Sequence, residues 1–364
     1  MFKKVAVWFG VFIVCCVVAV ISTATWLSTL MMGDALRESI RNTQASDLAY
    51  VNNEVKGARG RILAVLTSTG SSAIPGKNLG YELTELSRAY YVFQTNGFEV
   101  DVASTLGGEP EVVIDGDDIG VYDYAFLNDA AAQAKVANTT PIANVNAEDY
   151  AAIYFVGGKG ALFDFPDNKT IQSVVRHMFQ KGKVVGAICH GPAALLNVEL
   201  SNGDFLLAGK QVTGFTNAEE LFLMPSAKEV FPFLLESELK RRNARFFAGP
   251  LYLDNIVTDG KLITGQNPWS VWRTADAMIS ALGYTPVSRA ITSQERAINV
   301  LMAYQDGGNP VAQQVIDVSS KSCVNCLDGN LIVMHALVAA LQGKIGKTID
   351  LIALARRAKK HAQG

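Results

Sequence analysis

Lys183-Val-Val-Gly-Ala-Ile-Cys189-His190-Gly191-Pro192-Ala-Ala-Leu-Leu is an apolar strand that stops at a cysteine and turns into a helix. That pattern is the layout of a nucleophile elbow. A thiol at such a turn sits at the carboxyl edge of a sheet and at the start of the next helix, where unpaired amides and the helix dipole favour its anion. The adjacent His190 can carry protons, Gly191 permits a tight backbone, and Pro192 fits a first helical turn, where a missing N–H costs nothing. Most free cysteines are small core residues, and many histidines are satisfied core groups. A core cysteine, however, needs neither a neighbouring histidine nor a Gly-Pro turn, so Cys189 is the candidate reaction centre.

Outward from the elbow, short apolar runs alternate with helical spacing. Residues 61–66, 97–102, 150–156 and 183–188 read as strands, and further short strands are expected at 211–213, 245–247, 256–258 and 262–264. Residues 81–96, 170–181 and the stretch ending at Leu282 have helical periodicity. Strands alternating with helices imply a mostly parallel sheet covered on both faces. Ligands in such sheets bind beyond the carboxyl ends of the strands, so the loops after Leu66, Val156 and Ile188 should meet at one cleft.

The chain of 364 residues, 49% hydrophobic and 18% charged, can bury a large core. A formal net charge of −2 leaves no basic field, and nucleic acid is set aside as a partner. The N-terminus opens with Lys3 and Lys4 and then runs uncharged to Gly33, apolar over 5–30. A bilayer crossing needs roughly 20 apolar residues, so this run is expected to be an N-terminal transmembrane helix, with a cleaved signal peptide as the rival reading. The leading lysines would keep the N-terminus cytoplasmic and place the catalytic domain on the extracytoplasmic side. The expected organisation is an anchor over 1–33, a helical stalk over 34–59, an α/β domain over 60–285 and a helical C-terminal extension over 286–364. Cys323 and Cys326 form a lone CxxC that could be a disulfide, two idle thiols or, last, half a metal site, with His335 nearby on an apolar helix.

The runs 155–168, Ala187-Ile-Cys-His-Gly-Pro192 and Val212-Thr-Gly-Phe-Thr-Asn-Ala-Glu-Glu220 together resemble the ThiJ/PfpI family, within the class I glutamine amidotransferase-like proteins. The resemblance spans about 60–284 and is narrowest toward the branch of heat-shock chaperones and glutathione-independent glyoxalases. It implies a flavodoxin-like three-layer sandwich with Cys189 as nucleophile and His190 as its partner. It also implies a carboxylic acid from the first βα unit, which the motif Gly80-Tyr-Glu-Leu-Thr-Glu85 places on Glu85, with Glu82 as rival. Burial and a nearby thiolate would keep that carboxyl protonated. Glu220 matches the acid that orients the histidine, with the adjacent Glu219 as rival. Gly157 and Gly158 line the substrate, and the amides of Gly158 and His190 are the implied oxyanion donors.

Lys159 stands where this branch usually carries histidine and could act there as a fixed positive charge. The activity implied is glyoxalase III chemistry: a 2-oxoaldehyde such as methylglyoxal becomes the 2-hydroxy acid D-lactate through a hemithioacetal on Cys189. No cofactor and no metal are called for, His177 being too isolated for a two-histidine site. The alternatives from other classes are a cysteine amidase or peptidase using the same thiol, and a membrane-tethered chaperone or oxidative-stress sensor. A small carbonyl substrate and a possible homodimer complete the expected partners.

Overall fold

The computed structural model describes residues 34–116, 118–322 and 327–363. Residues 39–290 form one compact unit, and residues 291–364 belong to another. In the first unit the strands are β1 (Arg61–Leu66), β2 (Tyr81–Glu82), β3 (Glu99–Ser104), β4 (Val112–Val113), β5 (Thr140–Pro141), β6 (Ala152–Phe155), β7 (Val184–Ile188), β8 (Gln211–Val212), β9 (Arg245–Phe246), β10 (Ile256–Asp259) and β11 (Leu262–Gly265). Seven of them build one sheet in the order β10-β11-β7-β6-β1-β3-β5. Every pairing in it is parallel except the β10–β11 hairpin. Gly260 turns that hairpin at φ +63°, a backbone that side-chain-bearing residues rarely adopt.

All residues of β6, β7 and β11 are buried. Because successive strand residues point to opposite faces, the sheet must be covered on both sides, as the continuous apolar runs implied. The helix Leu83–Thr95 packs on the helix Val271–Ala281, which lies against β7 and β11, while the helix Lys169–Gln180 packs on β6 and β7. Gly186 in the middle of β7 makes room for this layer, since a Cβ there would overlap the Met278 side chain. The flavodoxin-like, mostly parallel α/β sandwich expected from the sequence is the fold observed.

Between strands the chain differs from its sequence reading in several places. Residues 121–137, for which no element was expected, form helices Val121–Asn128 and Ala130–Ala137, the second capped by Asp129. Residues ahead of β1 do not stand clear of the unit: Leu48 and Tyr50 are buried in its core, and the main-chain N–H of Val55 donates to Thr95 O at 2.9 Å. A buried ion pair fixes the Leu83–Thr95 helix from the side. Arg88 meets Asp123 at 3.1 Å with both side chains 1% exposed, and Arg88 also donates to the carbonyls of Asp118 and Pro268. Desolvating both charges offsets much of their attraction, so such a pair adds little to the stability of the fold.

The second unit is helical, with helices Ser293–Ser322, Gly329–Leu341 and Ile345–Gln363. The first is broken at Gly308, φ +68°, ahead of Pro310. The membrane expectation is corrected. Among the described residues no helix is long and apolar enough to cross a membrane. The two that have the length, Ser293–Ser322 and Ile345–Gln363, carry charges along it, among them Glu295, Arg296, Asp306 and Asp317 in one and Lys347, Asp350, Arg356 and Arg357 in the other. The run 5–30 on which the transmembrane helix rested lies outside the described residues, so that helix, the membrane as a partner and the extracytoplasmic placement of the domain are all withdrawn. Cys15, Cys16, Cys323 and Cys326 also lie outside them.

Candidate active site

The parallel strands β1, β6, β7 and β11 end side by side, and the chain turns sharply at each end. After β7 the turn is made by Cys189 itself, at φ +56°. A non-glycine residue in this region stores on the order of 1–3 kcal/mol of strain, which persists only where the surroundings hold it. Here both sides hold it: the Cys189 N–H donates to Gly265 O at 2.9 Å, and Phe215 N–H donates to Cys189 O at 2.8 Å. Gly191 lies so close to Phe155 O that any side chain would collide with it. The expected helix after the elbow is a five-residue 3-10 turn, Gly191–Leu195, with Pro192 in its first turn.

Four side chains expected at the site come together. His190 Nδ1 lies 3.4 Å from Cys189 Sγ, and its Nε2 lies 2.6 Å from Glu220 Oε2. Glu220 sits in the first turn of the helix Asn217–Leu223, which Thr216 caps through a capping box with Glu219. Glu85 comes from the opposite side, in the first turn of the Leu83–Thr95 helix, and is fully buried. Its Oε2 accepts the Gly157 N–H at 2.8 Å. Its carboxyl is buried against the Cys189 thiol, with which it shares a hydrogen bond.

Burial dominates the electrostatics. It pushes the Glu85 carboxyl up to about 8, against the pull of its hydrogen bonds with Cys189 and Gly157. At neutral pH Glu85 is therefore mostly protonated. Burial, and then the nearby Glu85, push the Cys189 thiol up as well. This departs from the expectation of a helix-stabilised thiolate: a single 3-10 turn supplies little dipole, and the closed cleft supplies little water. Burial works against ionised Glu220 too, but His190 beside it, helped by Lys159, holds that carboxyl below the usual carboxylate range. One acid in the site is thus kept neutral and the other kept charged, the division of labour an acid and a histidine-orienting group require.

The rival residues are separated by their contacts. Glu219 does not reach His190; it is a buried hub that accepts from Thr216 N and Oγ1, Tyr252 N, Gln266 Nε2 and Asn267 Nδ2 at 2.8–2.9 Å. Glu82, three residues before Glu85, sets its own N–H on Gly157 O at 3.2 Å. His177 lies away from the elbow, paired with Glu148 at 2.9 Å. His335 is buried on the helix Gly329–Leu341 of the other unit. Among the described residues no group of three or more metal-ligating side chains forms.

Two residues of the site had no role in the sequence reading. Phe215 packs on the His190 ring with centroids 4.7 Å apart, and Tyr154 Oη donates to Glu85 O at 2.9 Å, fixing the backbone behind the acid. Gln266 and Asn267 hold Glu219 through their side-chain amides, at 2.9 Å each.

Gly157 and Gly158 bring their backbone against this cluster. A Cβ on Gly157 would stand 2.5 Å from Glu85 Oε2, 2.7 Å from Ile188 O and 2.8 Å from Cys189 Cβ. Glu85 Oε2 could move aside, but the Ile188 carbonyl and the Cys189 Cβ belong to the elbow itself and cannot. Gly157→Ala is expected to cost about 1–3 kcal/mol of stability by overpacking and to displace the acid from the thiol. Thermal unfolding and the alkylation rate of Cys189 check it; an alanine variant with unchanged values would show the contact to be slack. Gly158 has φ +102° and lies against the Gly80 carbonyl.

A model of the DJ-1/PfpI family matches residues 78–281 of the chain. Glyoxalase 3 of Candida albicans is 30% identical over 233 residues, which cover 61% of this chain and 98% of that protein. The glutathione-independent glyoxalase HSP31 of Saccharomyces cerevisiae is 33% identical over 234 residues, again 61% and 98% of the two chains. The crystal structure of glyoxalase III from Candida albicans aligns with a TM-score of 0.56 at 27% identity, covering 62% of this chain and 98% of that one. With the family model spanning more than half of the sequence, and the elbow lying within it, the chain belongs to the DJ-1/PfpI family.

Proposed function

We propose that the site converts a 2-oxoaldehyde, methylglyoxal in the simplest case, to the 2-hydroxy acid D-lactate without glutathione, a lyase activity of the glyoxalase III type. The observation that carries this reading is the placement of one buried thiol between a carboxyl held neutral, Glu85, and a histidine backed by an ionised acid, His190 with Glu220. The relatives named glutathione-independent glyoxalases support it.

In this mechanism Cys189 Sγ adds to the aldehyde carbon, and the thiol proton passes through His190 to the aldehyde oxygen. In the resulting hemithioacetal, His190 takes the proton from the sulfur-bearing carbon while Glu85 protonates the neighbouring ketone oxygen. His190 then returns its proton to the ketone carbon while the hydroxyl on the sulfur-bearing carbon gives its proton back to Glu85, which leaves a thioester of the 2-hydroxy acid and restores both groups. Water then cleaves the carbon–sulfur bond, releasing the acid and restoring the thiol. The aldehyde carbon is oxidised and the ketone carbon reduced, so electrons balance within the substrate and water is the one co-reactant. Glu220 holds His190 in the tautomer that faces Sγ and stabilises its protonated form. The N–H groups of Gly158 and His190, which donate to no described residue, are the donors for oxyanions at the two carbons.

The test is incubation of the full chain with methylglyoxal in glutathione-free buffer. Lactate is expected to appear one for one with aldehyde lost. Aldehyde loss without lactate, or no loss at all, overturns the reading, and release of ammonia or an amine from amide substrates would replace it with the hydrolase.

A further inference from the structure

Tyr252, on the loop between β9 and β10, has φ +53°. Among the described residues two other non-glycine residues share this left-handed region, Cys189 and Asn243. Cys189 makes the elbow, and Asn243 follows the end of the helix Leu235–Arg241, where asparagine is a common terminator. A tyrosine there is a steric outlier. Glycine would adopt the same backbone freely, so the strain goes with the ring.

Glu219 holds this tyrosine at two points: its Oε1 accepts the Tyr252 N–H, and its main-chain carbonyl accepts from Tyr252 Oη, each at 2.8 Å. Gln266 and Asn267 brace the same loop by donating to Pro250 O at 3.3 Å and Leu253 O at 2.8 Å. The ring so held has its centroid 6.2 Å from Phe222 and 6.4 Å from Phe215, within the range at which aromatic rings attract. Phe215 in turn packs on His190. The polar contacts of His190, to Cys189 Sγ and Glu220 Oε2, lie at its two opposite nitrogens. They fix the long axis of the ring and leave its tilt about that axis to whatever meets its face. Phe215 supplies that contact, and Tyr252 backs Phe215.

We propose that Tyr252 is a positioning residue for His190: its clamped ring supports Phe215, which sets the tilt of the imidazole toward Cys189 Sγ. Tyr252 is not a proton carrier, because its hydroxyl is engaged by Glu219 O. Its effect on rate rests on the glyoxalase reading; its effect on the imidazole does not, and the test separates the two.

With the full chain isotopically labelled at histidine, imidazole resonances are expected from His177, His190, His335 and His361, and His190→Gln assigns those of His190. Tyr252→Gly removes the ring, accepts the backbone without strain and keeps the N–H on Glu219. Tyr252→Asn removes the ring with a residue that also tolerates this backbone but adds less freedom. In both, the His190 resonances should shift while those of the other three histidines stay. For methylglyoxal kcat should fall about tenfold with KM within about twofold of wild type, as misplacement of a catalytic group requires. Tyr252→Phe keeps the ring and should restore both readouts to near wild type. Unshifted His190 resonances in Tyr252→Gly and Tyr252→Asn overturn the proposal. So does a Tyr252→Phe variant as impaired as Tyr252→Gly, which would place the effect in the hydroxyl. If the wild type turns over no aldehyde, the glyoxalase reading fails while the His190 resonances still decide the role of Tyr252.

Discussion

Cys189→Ser is expected to lower kcat/KM for methylglyoxal by on the order of 10³-fold or more while leaving the thermal unfolding midpoint nearly unchanged. The substitution changes one atom, and the elbow that carries it is held from outside the side chain, by Gly265 O on one side and Phe215 N–H on the other. The backbone at φ +56° is therefore kept. What is lost is nucleophilicity. A serine hydroxyl gives up its proton far less readily than a thiol, and the same burial that raises the thiol would raise the hydroxyl further. Binding, the amide donors and the acid remain, so a residual rate above water is expected rather than none. Retention of more than a tenth of wild-type turnover would remove the hemithioacetal from the mechanism. Alanine at the same position distinguishes a chaperone role, because holdase action that survives Cys189→Ala would not need the sulfur.

The sheet was legible because burial on both faces writes itself as unbroken apolar runs: Ile62–Leu66, Ala152–Phe155 and Val184–Ile188 have no surface to expose, and their one polar side-chain group is the buried Tyr154 hydroxyl. The helices at 121–137 were not, since Val121–Asn128 sets the buried Tyr122 beside the buried Asp123 and has no clean apolar face. At the site, Cys189-His190 could be read directly because both residues sit in one local motif. Glu85 could not, being over a hundred residues away and placed by the packing of a helix rather than by spacing; only a family likeness pointed to it. Choosing Glu220 over Glu219 required geometry. Adjacent helical residues point about 100° apart, so one reaches His190 and the other reaches Tyr252, Gln266 and Asn267. The ionisation of the thiol was misread for a related reason: the apparent helix after it is a single 3-10 turn, and the burying layers around it come from distant parts of the chain.

Glu85→Gln is expected to reduce kcat by 10²- to 10⁴-fold, the range for removing a positioned acid, yet to leave Cys189 open to alkylation. Glutamine keeps the shape, and its carbonyl can still accept the Gly157 N–H that Oε2 accepts now. Its amide can donate a hydrogen bond toward the sulfur but cannot transfer a proton to the ketone oxygen. The pH dependence identifies the group. The acid form of Glu85 is present below about 8 and lost above it, so wild-type kcat should fall on the alkaline side with a midpoint near pH 8, and the variant should lack that limb. Stability carries the same signature with a definite sign. The folded protein holds this proton up to about pH 8, whereas the unfolded chain releases it near the ordinary value of 4.5. The stability contributed by Glu85 is therefore complete below 4.5 and lost as pH rises through 8. Glutamine does not titrate, so the unfolding midpoint of Glu85→Gln should gain on wild type steadily between pH 5 and pH 8. A wild-type rate without an alkaline limb, or a stability difference that stays constant over that span, would mean that Glu85 is already ionised in the folded site and that the proton on the ketone oxygen comes from elsewhere.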